Sequence, residues 1–300
     1  MTPTTDTLDN NIARPNQRAQ AYVELAKLRL VAMVLITTSV GFYVASTGTL
    51  EWTRFIQTII GTGLAAAGVL VLNQYIERDL DAQMVRTCHR PLPDKRLQPM
   101  EALVFGVLLT IGGLLYLTFV VNILSGLAIS AIVITYLFVY TPLKQKSSLC
   151  TVAGAIPGAL PPVVGWVAAR GTLNIEAWVL FAILFLWQLP HSLSIACIYR
   201  DDYAQAGFRL LPVIHPDGQS TRRQIVNNCV ALLVVGLLPT LIGLTGIIYF
   251  FASLILGGVF LGFGINLAIS RSMAAAKGLL YASLVYLPMM FLMMALDKIT

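Results

Sequence analysis

Acidic residues are scarce in this chain, 14 among 300, so their placement is informative. Three of them fall in one short stretch, Asn73-Gln74-Tyr75-Ile76-Glu77-Arg78-Asp79-Leu80-Asp81. Asn73, Glu77 and Asp81 are spaced by four, so on a helix they share one face, each turned about 40° from the last. Oxygen donors on one face suit Mg²⁺, which takes one or two carboxylates and leaves its other positions to water and substrate phosphate. Asp79 points to a different face. The same spacing also fits a solvated helix end in which Glu77 and Asp81 pair with Arg78 or Arg86. Asn73 argues for the first reading, because it lies inside the apolar run after Val71-Leu72, where a polar group costs energy unless it meets a cavity or a partner. Downstream, Arg86-Thr87-Cys88-His89-Arg90-Pro91-Leu92-Pro93 sets two arginines beside the carboxylates. That mixture is coherent if carboxylates hold Mg²⁺ on one side of a diphosphate and guanidinium forks hold the other. An ordinary bias of basic residues to one membrane side gives the same enrichment. Cys88 and His89 are adjacent and do not chelate easily.

A second group of chemical side chains reads Trp187-Gln188-Leu189-Pro190-His191, followed by Tyr199-Arg200-Asp201-Asp202-Tyr203. Two acid-bearing helix ends facing a common space would hold Mg²⁺ around one diphosphate. The alternative is a capped, solvated loop with an Arg200–Asp202 pair. His191 sits inside an apolar run, either as a satisfied structural group or as a contact for iron or for an acidic substrate group. Pro190 before it is expected to kink or open the helix. The segment Gly154 to Trp166 is rich in small residues and carries Pro161-Pro162, which suits close helix packing or a broken helix beside a cavity. Tyr140-Thr141-Pro142-Leu143-Lys144 puts a cation at the same membrane surface.

The elements that must position these groups follow from composition. The chain is 57% hydrophobic and 11% charged, with a mean hydropathy of +0.78. Soluble domains carry about 25% charged residues. The apolar residues come in blocks of roughly 20, the length of a membrane-spanning helix. A transmembrane β-barrel would show short alternating segments instead. About nine spans are expected, at 29–48, 56–76, 102–121, 124–140, 149–169, 175–197, 226–245, 247–268 and 278–296. With the N-terminus in the cytoplasm, every lysine and arginine except Arg54, Arg170 and Lys298 falls on the inner side, a strong positive-inside signal that leaves the C-terminus outside. The net charge of +6 therefore reflects inner loops and anionic ligands, not nucleic acid. The four cysteines are scattered, with no CxxC and no metal-ligand spacing, and read as reduced and structural. Residues 1–20 read as a disordered cytoplasmic tail without a cleavable signal, and 21–300 as the membrane domain. The longest inner loops follow spans two and six, so chemistry is expected at the inner face, at a central cavity open to the cytoplasm. A transporter would need polar groups through the full depth of the bundle, and the outer half is nearly free of charge.

At these residues the sequence resembles the UbiA-type intramembrane prenyltransferases. Asn73–Glu77–Asp81 is similar to that superfamily's first acidic motif, NxxxDxxxD, with Glu in the middle. Within the superfamily the chain resembles the protohaem IX farnesyltransferase branch through NQYIERDLDAQMVRT…RPLP, GAIPGALPPVVGW, WQLPH, YRDDYAQAGFRLLPV and Ala282 to Pro288. Two departures are visible. The second motif, usually DxxxD, has Tyr199 and Tyr203 at its outer positions with Asp201 and Asp202 between them, as in the haem branch rather than a quinone-type member. The Lys-Pro-Arg step of the first span reads Lys27-Leu28-Arg29. The resemblance implies an all-α, multi-pass prenyltransferase in a bacterial plasma membrane. It implies transfer of farnesyl from farnesyl diphosphate to a vinyl group of haem B, with a haem-modifying or oxidase-assembly protein downstream. It implies Mg²⁺ on Asn73, Glu77, Asp81 and Asp202, which form the catalytic set. Arg29, Arg86, Arg90, Lys144 and Arg200 are diphosphate-contact candidates, and His191 is the candidate contact for haem. Tyr199, Asp201 and Tyr203 complete the substrate-binding candidates.

Overall fold

The computed structural model describes residues 15–299. The expected tail at 1–20 lies mostly outside them. Its last residues are helical, because α1 runs Pro15–Leu25. Then come α2 (Leu28–Ala45), α3 (Trp52–Asp81) and α4 (Pro99–Tyr116), the last continued by a π-helical turn, Leu117–Val121. Next, α5 (Ile123–Ile134) passes through a second π segment, Thr135–Tyr140, into a closing turn, α6 (Thr141–Leu143). A broken pair follows, α7 (Cys150–Ala159) and α8 (Pro161–Arg170), and then α9 (Ile175–Ile198). Two short helices, α10 (Arg200–Gln205) and α11 (Leu211–Ile214), lead to α12 (Gln219–Leu241), α13 (Ile247–Ser270) and α14 (Met273–Leu296).

Among the described residues, nine helical stretches are long and apolar enough to cross a membrane, and the protein is a multi-span membrane protein. Their outward faces confirm the solvent they were built for. Phe119, Phe138 and Ile269 are 81%, 72% and 76% exposed, and apolar cover of that extent on neighbouring helices belongs against lipid. On α13 the inward face is Tyr249, Ser253, Gly257, Phe260, Gly264 and Leu267, a helical repeat that alternates bulk with small residues so that backbones approach.

The small residues of the first and fifth spans act in the same way. A Cβ added to Gly41 on α2 would lie 2.0 Å from the Pro162 carbonyl oxygen on α8, so the two helices touch backbone to backbone. Pro161 and Pro162 open α8 at positions where a missing N–H is harmless, and the break falls at Leu160. The pair α7–α8 packs against both α2 and α9, while α9, α12, α13 and α14 pack among themselves. Pro190 does not interrupt α9.

Candidate active site

Because the chain crosses back and forth, the ends of α3, α6, α9 and α13 lie at one end of the bundle, together with α1. The long helix α3 carries Asn73, Glu77 and Asp81 there. All three are buried, at 2%, 5% and 1% exposure, while Asp79 is exposed, as the helical spacing requires. The carboxylates are paired, but not with Arg78 or Arg86. Lys144 Nζ donates to Glu77 Oε1 at 2.6 Å, and Arg90 Nη1 donates to Asp81 Oδ2 at 2.6 Å. The solvated-end pairing is therefore replaced by two buried ion pairs to cations from other segments. The loop after α3 folds back to make this possible. Thr87 Oγ1 donates to the Asp81 carbonyl at 2.8 Å, and Arg96 holds the loop to α1 through both oxygens of Glu24, at 2.7 and 3.0 Å. Those bonds raise the Arg96 pKa above its ordinary value.

Asn73 Nδ2 donates to Thr141 Oγ1 at 3.2 Å, and Thr141 Oγ1 donates to the Tyr136 carbonyl, five residues back, at 2.8 Å. That bond spans the π segment, which brings Tyr136, Tyr140 and Thr141 beside α3. Lys144 Nζ stands 4.5 Å from the Tyr140 ring centre. Burial opposes the charge on Lys144, but Tyr140 and the Glu77 carboxylate outweigh it, and the pKa is raised.

The two long loops meet through Arg86. Its Nη2 donates to the Tyr203 hydroxyl at 3.2 Å, and its guanidinium lies 5.1 Å from the Tyr199 ring centre. Beneath this contact Met84 packs with Ala206 and Phe208, and Arg209 N donates to the Lys144 carbonyl at 2.8 Å. Asp202 is half-buried and Asp201 exposed on α10. No group of three His, Cys, Asp or Glu that could hold a metal occurs among the described residues, so the two loops are joined by cation and rings, not by a ready-made acidic cage. Two carboxylates and an amide on one buried face still fit Mg²⁺, because that ion leaves most of its positions to phosphate oxygen and water.

Three sequence-selected residues lie elsewhere. Arg29 is exposed. Arg200 lines a separate recess with Arg222 and Arg271. His191 stacks on Trp187 at 4.8 Å and bonds Ser283 Oγ through Nδ1 at 2.7 Å, deeper in the bundle on α9.

Sequence reasoning passed over Lys27. It stands between α1 and α2 in the left-handed region, at φ 50°. Gln74 Nε2 donates to the Leu25 carbonyl at 2.5 Å and so fixes this corner to α3. Burial, then the charge of Arg90, lowers the Lys27 pKa to about 7. The consecutive polar pair Asn73-Gln74 in an apolar run was the signal that something docks there.

Comparison with known proteins agrees with this architecture. Residues 34–294 match the UbiA prenyltransferase family, and the chain belongs to it. The chain is 46% identical over 286 residues to the protoheme IX farnesyltransferase of Solibacter usitatus, covering 92% of this chain and 98% of that one. It is 38% identical over 279 residues to the protein of that name from Aquifex aeolicus, covering 93% and 95%. In fold it is similar to a digeranylgeranylglyceryl phosphate synthase, with a TM-score of 0.80 at 16% identity over 93% of this chain and 98% of the other. It is also similar to a UbiA homologue from Archaeoglobus fulgidus bound to GPP and Mg²⁺, with a TM-score of 0.64 at 16% identity over 91% and 99%.

Proposed function

We propose that the chain transfers the farnesyl group of farnesyl diphosphate to a vinyl group of haem B, with addition of one water and release of diphosphate, to give haem O. Support for the substrates comes from the shared name of its bacterial relatives. The observation that carries the site is the pairing of Glu77 with Lys144 and of Asp81 with Arg90 on a buried face shared with Asn73.

The difficulty in this reaction is to break an allylic carbon–oxygen bond without losing the carbocation to water. Negative charge grows on the departing diphosphate, so cations already fixed beside it bind the transition state more tightly than the ground state. Lys144, Arg90 and Arg86 are those cations. When bound, Mg²⁺ on Asn73, Glu77, Asp81 and Asp202 supplies further positive charge at the same oxygens. Glu77 and Asp81 would hold that ion, and Lys144 and Arg90, their partners in this structure, would donate to the diphosphate. The Tyr140 ring offers a π-face to the allylic cation, and surrounding helices keep bulk water away.

His191 is assigned to the acceptor. Ser283 Oγ donates its only hydrogen to the Leu280 carbonyl at 2.6 Å. In its bond with His191 it must then accept, which puts the ring proton on Nδ1 and leaves Nε2 with a lone pair suited to haem iron. The basic face of the bundle is placed on the cytoplasmic side of a bacterial plasma membrane, with a haem-modifying enzyme as the consumer of the product.

The test is direct. Full-length purified enzyme with Mg²⁺, labelled farnesyl diphosphate and haem B yields a haem heavier by one farnesyl group and one hydroxyl. A phenolic acid in place of haem B yields no prenylated product. A prenylated phenol with no modified haem would overturn the assignment of the acceptor.

A further inference from the structure

A recess of about 440 Å³ opens at the same end of the bundle as the carboxylates, but on different residues, between the end of α9, the start of α12 and the α13–α14 turn. Arg200, Arg222 and Arg271 line it, with His215 and a single carboxylate, Asp217. None of the three arginines is ion-paired among the described residues. The first turn of α12 forms one wall. Its N-cap is Gly218, at φ 67°, and no side chain caps this 23-residue helix, which opens at the edge of the recess where Gly218 and Thr221 line it. Thr221, on that turn, also lines the recess. It is 2% exposed, and its hydroxyl has no hydrogen-bond partner. A buried, unpartnered hydroxyl costs free energy unless something else completes it. Arg271 holds its place in the left-handed region, at φ 52°. The floor is apolar, made by Ile225 and Leu267.

We propose that this recess binds a phosphate-type anion, apart from the reaction centre. Three guanidinium forks outnumber the one carboxylate, the Thr221 hydroxyl at the start of α12 adds a donor, and the apolar floor of Ile225 and Leu267 suits the first methylenes of a phospholipid's acyl chains. A lipid headgroup and free phosphate share this chemistry, and the experiment separates them.

Full-length protein in detergent is titrated with dioleoylphosphatidylglycerol and scored by native mass spectrometry for retained lipid. It is titrated separately with inorganic phosphate by calorimetry. No prenyl substrate is present, so failure of the transferase reading leaves the measurement intact. Wild type is expected to bind one equivalent of one of these ligands. Retained phosphatidylglycerol identifies the headgroup as occupant, and phosphate binding without lipid retention identifies the free anion. Arg222→Gln with Arg271→Gln should weaken binding by at least about tenfold, and Thr221→Val by about three- to tenfold. Thr221→Val removes only the hydroxyl and keeps the test valid should the double variant fold poorly. Binding of neither ligand, or binding that all these variants leave unchanged, would overturn the proposal.

Discussion

At the scale of residues, the two buried ion pairs make opposite demands on stability and on catalysis. Removing one member of a buried pair strands the other charge and costs about 3–5 kcal/mol. Glu77→Gln and Lys144→Met should therefore each destabilise the bundle, and the double variant should regain most of the loss in a thermal melt while remaining inactive. Simple addition of the two single effects would mean the pair is not coupled. Asp81→Ala strands Arg90 and should also destabilise the bundle, so its effect is read per folded enzyme, where prenyl transfer should fall by at least about a hundredfold. A variant that stays active with Mg²⁺ in a purified assay would remove Asp81 from the site. Lys27 predicts a pH effect. Its pKa lies near 7 rather than 10.5, so the fold favours the neutral amine. The stability tied to that form is present above the ordinary lysine range and lost as pH falls toward 7. Lys27→Met escapes this loss, and its melting-temperature advantage over wild type should open between pH 10 and 7 and stay level below. An equal gap at both ends would refute the burial argument.

These residues also mark what could be read in advance. Asn73, Glu77 and Asp81 were legible because helical geometry alone puts every fourth residue on one face. Their partners were not, since Arg90 arrives by a loop that folds back and Lys144 from a span more than sixty positions on. The alternative reading as a solvated helix end offered Arg78 or Arg86, the nearest cations in the chain. Lys27 was passed over for Arg29 because nothing in the tripeptide Lys27-Leu28-Arg29 tells which of its two cations turns inward.

At the scale of elements, two close approaches can be checked. A Cβ on Gly154 of α7 would fall 2.6 Å from the Tyr140 ring. The obstacle is a side chain, so Gly154→Ala should fold but push the ring off Lys144, raising KM for the diphosphate donor several-fold. An unchanged KM would show that Tyr140 does not set the position of Lys144. Gly41 meets backbone instead, and Gly41→Ala should cost about 1–3 kcal/mol by overpacking, visible as a lower melting temperature. Helix existence was well legible from apolar blocks, and the α7–α8 break from Pro161-Pro162. The π segment at Thr135–Tyr140 was not, because it changes which carbonyl is reached and not which residues are apolar. The start of α12 was missed for a related reason. Its first turns, from Gln219, are polar, and hydropathy places the span only from 226.

At the scale of the whole molecule, the distribution of basic residues predicts orientation. In intact bacterial cells a membrane-impermeant maleimide should label Leu173→Cys, in the turn between α8 and α9, and spare Lys146→Cys, at the opposite end. The reverse pattern would invert the topology and put the carboxylates outside.

The ion pairs have a last consequence, for biogenesis. A helix that carried Glu77 and Asp81 bare toward a lipid interior would resist integration. Lys144 and Arg90 cancel the charge of these two carboxylates, so the polypeptide can settle in the bilayer without carrying either of them bare. Each carboxylate finds its counter-charge within the chain, and integration calls for none from outside.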